Sequence, residues 1–213
     1  MYHKYKSADS HIKVNNVEIN KYINICNGDP VYTLNKDSLD DLFVKYPNNS
    51  TNINKIGIRV KSITLNECYS TRIKSIDLVR LPDWICNIPN IDKRITSGDF
   101  SVVNEIAASK SVGGVTTQDV YSFASKYCHF HNPDAYPIFD SYVSDMLCQL
   151  QKEEDFYRKQ LGVNKKFTQT DLKDYSKFNE VRQAFVNYYN LNHYSILDID
   201  KFLWRAGKDT YFE

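Results

Sequence analysis

Glycine and proline are scarce in this chain: seven and six among 213 residues. So little punctuation leaves few turns and long uninterrupted segments, and it disfavours a many-stranded sandwich or barrel, which needs frequent turns. No run approaches the ~18 apolar residues of a membrane span, and the opening "MYHKYKSADSH" has no apolar signal core. The expectation is a cytoplasmic chain with no membrane partner. Charge of one sign is also missing: 27 basic residues stand against 26 acidic ones. Binding to nucleic acid through overall charge is thereby excluded, though a local basic face is not. No CxxC pair occurs among the five cysteines, at 26, 68, 86, 128 and 148, so zinc ribbons and iron–sulfur runs are not readable. The cysteines read as free thiols of a reducing compartment, with no cofactor implied.

What is present is hydrophobic and largely helical in period. Apolar residues form 42% of the chain, enough for a real core rather than a disordered segment. Helical readings fall over 17–26, over a short helix capped by Ser38, over 71–85 up to Pro82, and from Asp99 through the following "FSVVNEIAAS". Residues 53–67 read as helix or strand, because their repeat of Ile56, Val60, Ile63 and Leu65 is β-branched. The strongest pattern covers 116–128, with Thr116 as cap and Val120, Phe123, Ala124 and Tyr127 at i, i+3, i+4 and i+7. Residues 151–166 read as solvated. Asp171 opens a long helix through Tyr188, and Ser195 with Asp198 makes a capping pair before the last one.

Chemistry concentrates around "YCHFHNPDAYPIFDSYV", residues 127–143. Asp140 follows the apolar run Pro137-Ile138-Phe139, and an acid there either caps the next helix or does work, since burying a carboxylate is costly. His129 and His131, if extended, point the same way; they read as helix-end structure, as a base or phosphate contact, or as two ligands lacking a third. Lys126 reads as a lysine near a helix C-terminus, as an electrostatic partner of Asp140, or as a nucleophile. Gly113-Gly114 makes a turn before a helix, where free N–H groups hold a phosphate. Arg72, Lys74, Lys110 and Lys126 are candidates for a local basic face.

Three stretches resemble the helix-hairpin-helix DNA glycosylases, the 8-oxoguanine, MutY-like and endonuclease III-like enzymes. "YPIFDSYV" is similar to the segment holding that family's catalytic aspartate. "SVGGVTTQDVYSFA" is similar to its hairpin, with Thr116 in place of the second glycine. "ITLNECYSTRI" resembles the segment that fills the gap left by an extruded base. With "SFASKYCHFH" and "DKFLWRAGK", the chain looks like bacterial 8-oxoguanine-glycosylase-fold proteins, some encoded in anti-phage defence operons. The resemblance implies an all-α, two-lobed fold with a cleft between lobes. One lobe takes about 1–50 plus 136–213; the other takes about 51–135, with the hairpin near 110–128. It implies DNA, duplex or single-stranded, as partner, with defence-system proteins as further candidates. It implies Asp140 and Lys126 as catalytic candidates and strand contacts at Gly113, Gly114, Thr116, Gln118, Cys68 and Tyr69. A base pocket would involve His129, His131 and Phe139, with no metal. Gln118 stands where bifunctional members carry a Schiff-base lysine, so the implied activity is hydrolysis alone, and a binding module without cleavage is the other reading.

Overall fold

The computed structural model describes residues 12–45, 52–112 and 114–211, and every regular element among them is helical. The chain divides into two compact units, 1–30 with 139–213, and 31–138.

The first unit joins α1 (Asn16–Gly28) to α8 (Ser141–Glu154), α9 (Phe156–Leu161), α10 (Tyr175–Tyr188) and α11 (Ile196–Ala206). Asn15 starts α1 by accepting from the Val17 and Glu18 amides, and Ile19, Tyr22 and Cys26 form its buried stripe. That stripe meets α11, where Tyr22 lies edge-on to Phe202 at 6.0 Å. The Ser195 cap of α11 is as expected: the Asp198 amide donates to Ser195 Oγ at 3.1 Å. Two expectations shift. Asp171 opens only a short 3-10 turn, and α10 is capped by Asp174, which accepts from the Lys177 amide at 2.9 Å. The supposedly solvated 151–166 stretch contains α9, because Phe156 and Tyr157 are buried and Phe156 packs edge-on to Phe185 at 5.8 Å.

After α11 the backbone widens into a π turn, Gly207–Tyr211, pressed against the start of α8. A Cβ on Gly207 would sit 2.9 Å from the Tyr142 carbonyl oxygen. Alanine normally favours a helix over glycine, but here the clash reverses the sign. Gly207→Ala is expected to lower stability by about 1–3 kcal/mol in chemical denaturation, the usual range for overpacking.

The second unit holds α2 (Pro30–Lys45), α3 (Asn52–Tyr69), α4 (Ser75–Cys86), α5 (Ile91–Thr96), α6 (Ser101–Ala107) and α7 (Tyr121–His131). Ser38 caps nothing: it lies inside α2, and its Oγ donates to the Leu34 carbonyl one turn back. Residues 53–67 settle as helix, with an unexpected inner face. Ile58, Lys61, Ser62 and Leu65 are buried, while Ile56 is 68% exposed and Val60 and Ile63 lie outward. Pro82 does not end α4; it lies buried inside the helix beside Leu78, Leu81 and Ile85, and Ile76 and Val79 face out. The α6 reading holds, with Asp99 Oδ1 accepting from the Ser101 amide at 3.0 Å.

Candidate nucleic-acid interface and carboxylate

The loop between α6 and α7 differs most from expectation. Residues 114–120 are not helical, and α7 begins at Tyr121 instead of near Thr116. Local side-chain bonds explain the delay. Thr116 is buried, shares a 3.1 Å hydrogen bond with Ser109 Oγ, and donates to the Gln118 carbonyl. The Ser109 carbonyl closes the loop by accepting the amides of Val115 and Thr116, and Asp119 takes the Tyr121 amide at 2.8 Å. Threonine and aspartate side chains here compete with helix for the backbone. Gly114 has φ +57°, the left-handed region that favours glycine. Gly113 lies outside the described residues. A helix N-terminus therefore does not follow the Gly-Gly turn directly.

Two tethers fasten this loop, one to the start of α4 and one to the turn between α3 and α4. Asp77, wholly buried, accepts from both the amide and the hydroxyl of Thr117 through Oδ2, at 3.0 and 2.8 Å. Gln118 Nε2 donates to the Arg72 carbonyl at 2.6 Å. Segments about 45 residues apart in the chain thus form one edge of the second unit. Cys68 and Tyr69 lead into that edge but are half-buried. Tyr69 packs edge-on to Phe130 at 5.6 Å, and the Cys68 carbonyl accepts from Asn35. Burial pushes the Cys68 thiol above its usual range.

Helix α7 corrects three more expectations. Lys126 is not on an exposed basic face: it is 2% exposed, and its Nζ donates to Ser122 Oγ at 2.6 Å and lies 5.8 Å from the Tyr69 ring centre. His129 and His131 are helical, so two residues' separation turns them to opposite sides rather than the same one. His129 is buried with Nδ1 donating to the Tyr136 carbonyl at 2.7 Å. His131 Nε2 lies 2.9 Å from Lys61 Nζ. Burial first, then the Lys61 charge, holds the His131 imidazole well below its ordinary range, so it is the neutral acceptor of that bond.

Lys61 escaped the sequence reading, although the register 58, 61, 62, 65 contained its signal. It is fully buried between the rings of Phe43 and Tyr127, each 5.1 Å from Nζ. Desolvation lowers its pKa to about 7, against the opposing pull of Asp92. From pH 7 to about 10.5 the unfolded chain therefore holds a proton that the folded one lacks, and this group's contribution to stability rises with pH across that window. Replacing the whole pair, Lys61→Met with His131→Leu, is expected to stabilise the protein at pH 7 by about 1–4 kcal/mol and to flatten that rise. Urea denaturation at several pH values measures both.

Asp140 belongs to the first unit. Tyr136, Pro137, Ile138 and Phe139 before it are buried, whereas Asp140 itself is half-buried. Its backbone is extended and Oδ1 accepts from the Tyr142 amide at 3.0 Å, so it caps the 14-residue α8. Phe139 packs edge-on to Phe178 at 5.3 Å, and Lys173 Nζ stands 5.0 Å from its ring centre. Among the described residues no three His, Cys, Asp or Glu side chains are grouped to hold a metal ion. No helix among them is long and apolar enough to cross a membrane.

Residues 18–135 match the HI_0787_N family, an N-terminal domain family. The chain belongs to this family. It is also 37% identical over 146 residues to an uncharacterized protein of Haemophilus influenzae strain Rd, an alignment covering 68% of this chain and 64% of the relative. The chain thus spans somewhat less than two thirds of that relative's length. No solved structure matches. The matched span begins inside α1 and ends beyond α7; the two tethered loops and positions 61 and 131 fall within it, and Asp140 falls outside it.

Proposed function

We propose that this HI_0787_N-family protein is a monofunctional base-excising hydrolase acting on DNA, with the two-lobed helix-hairpin-helix glycosylase fold as part of that proposal. The observation that supports it is the setting of Asp140: a half-buried carboxylate directly after four buried residues, its Oδ1 accepting from the Tyr142 amide. In such surroundings a negative charge acts strongly on developing positive charge. The C1′–N bond of a modified nucleotide breaks, the base leaves with the electron pair, and Asp140 steadies the oxocarbenium ion. Water then adds to C1′ and its proton passes to the departed base, leaving the free neutral base and an abasic sugar in an intact strand. Strand binding is assigned to the edge formed by the α3–α4 turn and the α6–α7 loop, and extrusion exposes the base to be cut. Neither Gln118 nor Lys126 is given a covalent step. Gln118 is an amide bonded to the Arg72 carbonyl, and Lys126 is buried on Ser122.

The direct test is release of free base from a panel of modified duplex and single-stranded DNAs by the wild type and by Asp140→Asn. Absence of base release, or release indifferent to the substitution, overturns the proposal. A second reading, a module that binds DNA without cutting it, draws on the same Gln118 bond, which commits that side chain to structure. Its signature is salt-dependent DNA binding with no product.

A further inference from the structure

The α3–α4 turn carries backbone strain at two residues that are not glycine: Ser70 has φ +47° and Arg72 φ +60°. Such positions persist only where surrounding bonds over-determine them. Here they do. Asn66 Oδ1 accepts from the Thr71 hydroxyl at 2.7 Å and from the Ile73 amide at 2.8 Å, while the Asn66 carbonyl takes the Thr71 amide. From the other side Gln118 holds the Arg72 carbonyl at 2.6 Å. Ile73 anchors the turn in the core, yet the Arg72 side chain is exposed, and among the described residues no acid pairs with its guanidinium. Arg94, Arg158, Arg182 and Arg205 are each paired with a carboxylate, while among the described residues Arg59 and Arg80 are exposed without one, as Arg72 is, but lie on regular helices. Lys74, two residues on, and Lys110, on the loop that Ser109 closes, are exposed as well and add to the positive charge.

A fixed, strained backbone that holds out an unpaired guanidinium gains no packing from that side chain. We propose that Arg72 is the preset strand-contacting residue of this protein, its guanidinium binding a DNA phosphate, and that Gln118 and Asn66 are positioning residues acting through it. Tyr69, the earlier candidate at this place, is occupied by its packing on Phe130. The planar fork of arginine suits two oxygens of one phosphate, and a backbone fixed in advance reduces the ordering cost of the contact. This assignment rests on the DNA-binding part of the proposed function and adds nothing to the role of Asp140.

The test is fluorescence anisotropy of a labelled short duplex with full-length protein, titrated across salt, alongside thermal melts. Arg72→Gln is expected to weaken binding by about 5- to 10-fold and to lower the slope of log affinity against log salt by about 1. Arg72→Gly should weaken binding equally while raising the melting temperature by a few degrees, because glycine relieves the left-handed strain. Binding and stability moving in opposite directions is a result that a merely structural arginine does not give. Gln118→Ala should weaken binding but add little when combined with Arg72→Gln, since both act on one contact. Lys13→Gln, an exposed change elsewhere, should leave affinity unchanged. If the wild type binds DNA and both Arg72 variants bind as it does, or Lys13→Gln costs as much as Arg72→Gln, this inference falls and the proposed function stands. If the wild type does not bind at low salt, both fall.

Discussion

Asp140→Asn is expected to cut base release by about 10²- to 10³-fold while leaving the fold intact, the loss typical when one preorganised electrostatic contact to a transition state is removed. The choice of asparagine matters because Asp140 has a demonstrable structural duty: its Oδ1 accepts from the Tyr142 amide at the start of α8. Asparagine and aspartate cap helices about equally, so the amide should keep that bond and hold stability to within about 0.5 kcal/mol. What it cannot supply is the negative charge. Asp140→Ala removes cap and charge together and should cost about 1 kcal/mol of stability in addition to the activity. If aspartate were there only to cap, asparagine would behave as wild type and alanine would lose stability alone. Activity assays and thermal melts on the two variants separate the duties.

Asp200→Ala is expected to have the largest effect on stability, a loss of about 3–5 kcal/mol. Arg182 on α10 and Asp200 on α11 are each 4% exposed, with Arg182 Nε 3.3 Å from Asp200 Oδ1 and Nη2 donating to the Ile196 carbonyl at 3.0 Å. Removing the carboxylate strands a guanidinium away from water, with the Ile196 carbonyl its one remaining hydrogen-bond partner among the described residues. Against a typical total of about 5–15 kcal/mol, that loss brings the protein close to unfolding at moderate temperature. The double replacement Arg182→Met with Asp200→Leu should recover most of it, because apolar side chains carry no desolvation cost. Denaturant midpoints for the single and double variants check this, and a single variant as stable as wild type would show that the pair is not sealed from solvent.

Much of the helical order was readable in advance wherever the code was local. The Ser195–Asp198 cap, the α6 start at Asp99 and the buried stripe Phe178, Val181 and Phe185 all follow from spacings within one or two turns. Readings failed where two local preferences competed. Ser38 resembled a cap but back-bonded inside α2, and Pro82 resembled a stop but packed into α4. In α3 the branched residues Ile56, Val60 and Ile63 made the more conspicuous stripe, yet Lys61 and Ser62 took the inner face. For the candidate site, the sequence singled out Asp140, Gln118 and the segment around Tyr69, but it gave no sign that Gln118 reaches the Arg72 carbonyl or that Lys126 is buried.

By itself, then, the amino-acid order determined that this protein is helical and that the stretches 63–73, 111–124 and 127–143 carry unusual residues, because helical period and capping act over a few positions. Only the tertiary structure decided that Thr117 and Gln118 close onto Asp77 and Arg72, that Lys61 meets His131 across 70 residues, and which lysines are left in water. Those outcomes depend on which buried polar groups find partners when distant segments pack, and no local pattern in the chain encodes that.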